Sequence, residues 1–392
     1  MERRLRILQL FYTFDVEVGG GGLSRFAIEL GRHLDRNRFE VILCSLGYFN
    51  SPLGKMRIEA LNREGYKAFE ATQWEETKPY LSFLNAVRSI NAELSRQPID
   101  IIHSHSEYTD IAAILLKINR KASKILRTVH YGYHHEWARK PFRRALLTNF
   151  LYPILFDIEI GINQTNTDRL NGRYVAKILK KTASRIYNAI PLERFENIQV
   201  DVSAKKAQLG IPTQAPVVGS VGRLADQKGY CYFLEAAAKL KFECPEIYFL
   251  IIGDGPLAEE LKRQAHELEL DRQVIFTGAR TDVEELLHCM DIFVSTSLWE
   301  GLPTVILEAM ACHVPVIATD IPGTNELVIH EVTGWLVPAV NPAAVAAAVL
   351  NLLRQPETRK KLIQGAHSSL EKFSIISVTN QYENLYQKLV ID

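Results

Sequence analysis

Short apolar runs alternate along this chain with stretches in which apolar residues recur every three or four positions. Residues 6–11, 39–46, 66–71, 99–106, 124–130 and 157–163 are such runs, and they read as strands buried on both faces. Helical stretches lie between them, the first from Leu23 to about Leu34. The pattern pauses over residues 188–209, a polar stretch with Pro191, and restarts at 216–222. Strands at 247–252, 273–277, 291–297, 315–319 and 334–337 follow, and the chain from Asn341 is helical. Its last segment, 376–390, carries Val378, Tyr382, Leu385, Tyr386 and Leu389 on one side. Regular β-α alternation predicts an α/β fold with parallel sheets. Two doubly wound halves, 1–195 and 205–375, imply a cleft, with ligands beyond the carboxyl ends of the strands.

Composition agrees with this picture and removes other classes. A length of 392 residues suits two domains, and 47% hydrophobic content suits large cores. A net charge of +1 gives no global field to recruit nucleic acid. Five cysteines without a C-x-x-C pair read as reduced, buried thiols of a cytoplasmic protein. The N-terminus lacks the apolar region of a signal peptide. The most apolar long stretch, 145–162, is interrupted by Thr148, Asn149, Pro153, Asp157 and Glu159, so no spanning helix is expected.

The chemistry centres on residues 299–311. Glu300 falls in a strand-to-helix loop, Pro303 suits the first helical position, and Glu308 lies about a turn and a half inside the helix. Gly301, Leu302, Pro303 and Thr304 lead into a helix start, where free amides and the dipole favour an anion. Acid, anion site, acid suits a ligand with hydroxyls at both ends and a phosphate between them. Arg223 and Lys228 flank the loop after strand 216–222; they read as a diphosphate clamp or as two solvated cations. Gly21 and Gly22 close a run of four glycines before the first helix, either a phosphate loop or a flexible linker.

Other signals compete. Gly253-Asp254-Gly255-Pro256-Leu257-Ala258 approximates a dinucleotide fingerprint, but on the second half's second strand. His103, His105, His130, His134 and His135 form an enriched group without acidic or cysteine partners at ligand spacing. His130 ends a strand, where its polar tip can orient a sugar hydroxyl. Glu300 and Glu308 would sit at two ends of a phosphate site, unlike a glycosidase pair across one bond. Residues 137–152 mix four cations with aromatic and aliphatic side chains, reading either as a membrane-surface segment or as a half-buried helix with a basic face.

Residues 300–311, EGLPTVILEAMA, resemble the E-x7-E motif of the family 4 glycosyltransferases. These are retaining sugar-nucleotide enzymes of GT-B fold, with two Rossmann-like domains. Gly222-Arg223-Leu224 through Lys228-Gly229, Gly253 to Pro256, and Pro322-Gly323 with Glu326 and Gly334 follow in family order. Gly21-Gly22, His130 and Asn188 also match family positions. Ala189 and the 163–165 segment depart from the pattern, in loops expected to meet the acceptor.

The resemblance implies that Arg223 and Lys228 hold the donor diphosphate, with Gly21, Gly22 and Gly255 also at the donor. Gly301, Leu302, Pro303 and Thr304 would offer their segment to phosphate, Glu308 would take the ribose hydroxyls, and Glu300 the transferred sugar. Residues 376–392 would cross back onto the first domain. With no D-x-D motif, no metal or other cofactor is expected, and the catalytic group would be His130, Glu300, Arg223 and Lys228. The expected partners are a nucleotide sugar, a sugar or lipid-linked sugar acceptor and an anionic membrane surface, without nucleic acid. The expected function is hexose transfer, from UDP-sugar in preference to GDP-sugar, for cell-surface polysaccharide or glycolipid synthesis, on the inner face of the plasma membrane. An NAD-dependent oxidoreductase and a non-catalytic nucleotide-sugar-binding protein are the competing classes.

Overall fold

The computed structural model describes residues 3–15, 21–48, 51–95, 97–130 and 141–391. Gly19, Gly20, His134, His135 and residues 137–140 of the basic aromatic stretch lie outside the described residues. The chain divides into two compact units, Met1–Ala189 with Ile375–Asp392, and Ile190–Ser374.

The first unit is built on a parallel sheet of seven strands. These are β1 (Leu5–Phe11), β2 (Phe39–Tyr48), β3 (Lys67–Gln73), β4 (Ile99–Ser104), β5 (Ala122–Val129), β6 (Ile158–Gly161) and β7 (Ser184–Arg185). Their spatial order is β3-β2-β1-β4-β5-β6-β7, so the winding reverses between β1 and β4. Side chains alternate in β1: Ile7 and Phe11 enter one apolar cluster, Leu8 and Leu10 the other. The helix Ile375–Ile391 supplies Val378, Tyr382, Tyr386 and Leu389 to the first of these clusters. The C-terminus therefore completes the core of the N-terminal sheet.

The second unit carries a parallel sheet of six strands. These are β8 (Val217–Val221), β9 (Tyr248–Ile252), β10 (Val274–Phe276), β11 (Ile292–Ser295), β12 (Val316–Thr319) and β13 (Trp335–Val337). The order is β10-β9-β8-β11-β12-β13, with the reversal between β8 and β11. Both sheets thus place a crevice at a topological switch point.

Three local features depart from the sequence expectation. The break between units falls at Ala189, because Phe195 is buried in the second unit, where its carbonyl meets His288 Nε2 at 3.2 Å. The polar stretch after it is not bare linker: Asp201 caps the helix Val202–Gln208 through Ala204 N at 2.9 Å. The third lies between Pro141–Leu146 and Tyr152–Leu155, where Leu147–Leu151 forms a π turn. Tyr152 N donates to Leu147 O, and buried Arg173 donates to Thr148 O at 2.8 Å, satisfying a carbonyl at the wide turn.

Candidate functional site

In the second unit, the loops after β8 and β11 are neighbours because those strands are neighbours. Gly222 leaves β8 at φ 156° and Gly229 stands at φ 58°, immediately before the helix Tyr230–Glu243. A Cβ on Gly229 would lie 2.4 Å from Thr296 O, so glycine is required both for the dihedral and for the close approach. Leu298 N donates to Gln227 O at 2.8 Å and Thr296 Oγ1 donates to Lys228 O at 3.1 Å, tying the loops together.

Between these loops lies an ion pair. Lys228 Nζ donates to Glu300 Oε1 at 2.6 Å, with the side chains 20% and 6% exposed. Ser297 Oγ donates to the same oxygen at 2.7 Å, while Gln227 Nε2 reaches Glu300 Oε2 at 3.3 Å. Thr319 Oγ1 in turn holds Ser297 O at 2.6 Å. Glu300 is therefore fixed by three donors from two loops, and Lys228 by the carboxylate it faces. Arg223 is exposed, and among the described residues none accepts a hydrogen bond from its guanidinium. One cation is pre-organised and the other remains open to an anion.

Gly301, Leu302 and Pro303 are buried and lead into the helix Thr304–Ala311, which Pro303 precedes as its cap residue. Pro303 was expected inside the first turn; its ψ of 95° places it one residue outside. Thr304 is the first helical residue, and Glu308 is buried in the helix. The helix start thus stands beside Glu300 and Lys228. Its free amides add positive potential to that of Lys228.

The dinucleotide-like glycines have a different physical cause. A Cβ on Gly253 would lie 2.0 Å from Gly222 O, and one on Gly255 would lie 2.4 Å from Leu224 O. Leu224 N donates to Asp254 O and Leu257 N to Leu224 O, both at 3.0 Å. The 253–258 loop is pressed against the 222–224 loop, so its glycines serve backbone contact between loops. Gly255 supports the Arg223 segment through that contact. Gly323, at φ 86°, packs likewise on Gly301, where a Cβ would lie 2.2 Å from its carbonyl oxygen.

In the first unit, Gly21 and Gly22 open the helix Gly21–His33, and a Cβ on Gly22 would meet nothing within 4 Å. His103, His105 and His130 are buried at the ends of β4 and β5. His105 Nδ1 lies 3.1 Å from His130 Nε2, and His105 Nε2 lies 2.8 Å from Gln9 Oε1. Gln9 Nε2 donates to Tyr386 Oη at 3.0 Å, and that hydroxyl lies 2.7 Å from His103 Nδ1. His103 Nε2 meets Thr128 Oγ1 at 2.7 Å. Burial pulls His130 down to about 3, against the opposing influence of neighbouring Asn188. Burial also holds His103 and His105 well below the usual histidine range. The three rings are neutral hydrogen-bonding groups at pH 7, and no group of metal-ligating side chains occurs among the described residues.

Sequence reasoning missed Ser297, Gln227, Gln9 and the two tyrosines. Gln9 carried a signal: it is a polar residue among the buried apolar residues 7–11 of the LRILQLF strand. Ser297 and Gln227 carried none, since their role depends on which loops become neighbours.

The chain matches the family description "Glycosyl transferases group 1" over residues 201–369 and "Glycosyltransferase Family 4" over residues 20–194. An Escherichia coli UDP-Gal:alpha-D-GlcNAc-diphosphoundecaprenol alpha-1,3-galactosyltransferase is 28% identical over 331 residues, 79% of this chain and 80% of that protein. The N-acetyl-alpha-D-glucosaminyl L-malate synthase of Bacillus anthracis is 25% identical across 98% of both chains. HepE of Anabaena, solved in complex with UDP-glucose, superposes with a TM-score of 0.80 at 20% identity, covering 98% of this chain and all of that one (100%). The sucrose-phosphate synthase of Thermosynechococcus elongatus gives a TM-score of 0.80 at 21% identity, covering 99% and 100%. With two Rossmann-like parallel-sheet domains and both halves matched in order, the chain belongs to the family 4 glycosyltransferases of GT-B fold.

Proposed function

We propose that this glycosyltransferase moves a hexose from a UDP-sugar to a hydroxyl of a sugar or lipid-linked sugar acceptor, with retention of anomeric configuration and without a metal. The observation that carries the reading is the Lys228–Glu300–Ser297 arrangement beside the start of the helix Thr304–Ala311. In this reading Lys228, Arg223 and the amides of Gly301, Leu302 and Thr304 neutralise the diphosphate, Glu308 takes the ribose hydroxyls, and Glu300 faces the transferred sugar. The C1–O bond to the diphosphate breaks as the bond to the acceptor oxygen forms on the same face. The acceptor's proton passes to the departing phosphate oxygen, with both charge changes held by Lys228 and Arg223. His130 orients a sugar hydroxyl. Uridine is favoured because HepE is solved with UDP-glucose and the E. coli relative is named for UDP-galactose. That relative's diphosphoundecaprenol-linked acceptor motivates a place in cell-surface polysaccharide or glycolipid synthesis.

A panel of UDP-sugars, GDP-sugars and NAD scored by thermal shift, with mass detection of transferred sugar, tests this. Stabilisation and transfer with a UDP-hexose are expected. A response to NAD alone would refute the reading, and tight donor binding without turnover on any acceptor would leave only a binding protein.

Peripheral membrane association is the second part of the proposal. Phe142, Leu146, Phe150 and Ile154 are exposed at four-residue spacing through the α-π-α segment, with Phe142 91% exposed. A four-residue repeat drifts around an α-helix by about 40° per step, and the wider π turn counters that drift. Tyr174, Ile178 and Leu179 are exposed on the adjoining helix segment. Residues 141–181 contain seven Lys and Arg against three Asp and Glu. An apolar stripe with basic flanks fits an anionic bilayer surface. Among the described residues no helix is long and apolar enough to cross a membrane.

A further inference from the structure

Glu300 Oε1 takes two donors at once, Lys228 Nζ at 2.6 Å and Ser297 Oγ at 2.7 Å. Its other oxygen takes the Gln227 amide, at 3.3 Å. The directions of these bonds are fixed. A carboxylate only accepts and an ammonium only donates, so Ser297 gives its proton to Glu300. Gln227 Nε2 also reaches Trp299 O at 2.9 Å; both of its neighbours are acceptors, so its amide has one orientation.

The two donors on Oε1 differ in freedom. Ser297 is buried, and its backbone carbonyl is held by Thr319 Oγ1 at 2.6 Å. Lys228 is the more exposed partner and sits on a flexible four-carbon stem. That stem crosses Gly222, where a Cβ would lie 3.4 Å from Lys228 Cε, so glycine leaves it room.

A donor diphosphate carries more negative charge than one carboxylate and competes with Glu300 for the same ammonium. When Lys228 turns to it, the buried Glu300 carboxylate still needs donors. The field of the ammonium weakens the pull of Oε1 on the Ser297 proton, so that bond strengthens as Lys228 leaves.

We propose that Glu300 and the donor diphosphate exchange Lys228, and that Ser297 is the positioning residue that retains Glu300 once the ammonium has turned away. The exchange rests on the assignment of the diphosphate to Lys228 made above. It adds an order of events: the diphosphate draws Lys228 off Oε1, and the lone pair given up there opens to a hydroxyl of the transferred sugar.

Titration of UDP against the full-length wild type, Ser297→Ala, Glu300→Gln and the double variant tests this. Ser297→Ala leaves the Thr319 bond to the backbone carbonyl intact. It is expected to weaken UDP binding about fivefold, because the nucleotide-bound state loses the donor it depends on. In the Glu300→Gln background there is no carboxylate charge to retain, and the same change is expected to alter UDP affinity by less than about twofold. A purely structural Ser297 weakens UDP equally in both backgrounds, and a bystander weakens it in neither; either result overturns the proposal. If Ser297→Ala does not fold, Ser297→Cys, close in size and a weak donor, is read in its place. Lys228→Ala tests the underlying reading separately: undiminished UDP binding in that variant removes the diphosphate from Lys228. A clear loss there, with no coupling between Ser297 and Glu300, removes the exchange alone.

Discussion

Replacing Glu300 with glutamine removes a negative charge and almost no volume. That charge holds Lys228 at 2.6 Å, with only 6% of the Glu300 side chain exposed. A hydrogen bond to a charged group contributes about 1.5–3 kcal/mol, and making the acceptor neutral roughly halves it. Glu300→Gln therefore releases Lys228 by about 1 kcal/mol, while Ser297 and Gln227 can still hold the amide. The freed ammonium meets a diphosphate more readily, so UDP should bind the variant about fivefold more tightly. Turnover moves the other way, because the transferred sugar loses a charged acceptor. A fall of about 100-fold corresponds to roughly 2.7 kcal/mol of lost transition-state stabilisation. Calorimetric titration with UDP and initial rates with the active UDP-sugar give both numbers. If UDP affinity and turnover fall together, Glu300 holds the nucleotide and its assignment to the sugar is wrong.

Arg223→Ala should weaken UDP binding about tenfold and leave the melting temperature nearly unchanged, since the side chain is exposed; a large loss of stability with unchanged affinity would contradict it. Gly255→Ala forces a Cβ to within 2.4 Å of Leu224 O, so denaturant titration should show a loss of about 2 kcal/mol or more. A fully stable variant would mean that the two loops do not touch. His103, His105 and His130 have folded values depressed by burial, so the unfolded chain takes up protons first as pH falls. Their contribution is intact above the unfolded value near 6.5 and is lost below it, so unfolding free energy should drop between about pH 7 and pH 5. The drop should be shallower in His130→Gln, and an equal pH slope in both proteins would contradict the burial. Co-sedimentation with anionic liposomes should be strong and salt-sensitive, and Phe142→Ser with Phe150→Ser should abolish it; equal recovery in the supernatant with and without liposomes would end the membrane proposal.

Parallel strands were legible because burial on both faces writes a nearly continuous apolar run, as in β9 and β11. The Glu300–Glu308 region was legible because a strand, a loop and a helix start are local features. Contacts that depend on strand order were not legible. Lys228 and Glu300 are 72 residues apart, and they meet because β8 and β11 are neighbours at the reversal. The spacing of Gly253 and Gly255 allows a nucleotide loop in the sequence; what it could not show is that their missing side chains make room for the backbone of residues 222–224. The π turn at Leu147–Leu151 also left no readable signal, since buried Arg173, which stabilises it, lies beyond β6 in sequence.

The most direct test of the donor assignment is a crystal structure of this protein with UDP bound. The diphosphate is expected within about 3 Å of Lys228 Nζ and of amides among Gly301, Leu302 and Thr304, with the ribose hydroxyls on Glu308. A nucleotide seated away from the Lys228–Glu300 pair, with the start of the helix Thr304–Ala311 uncontacted, would contradict it.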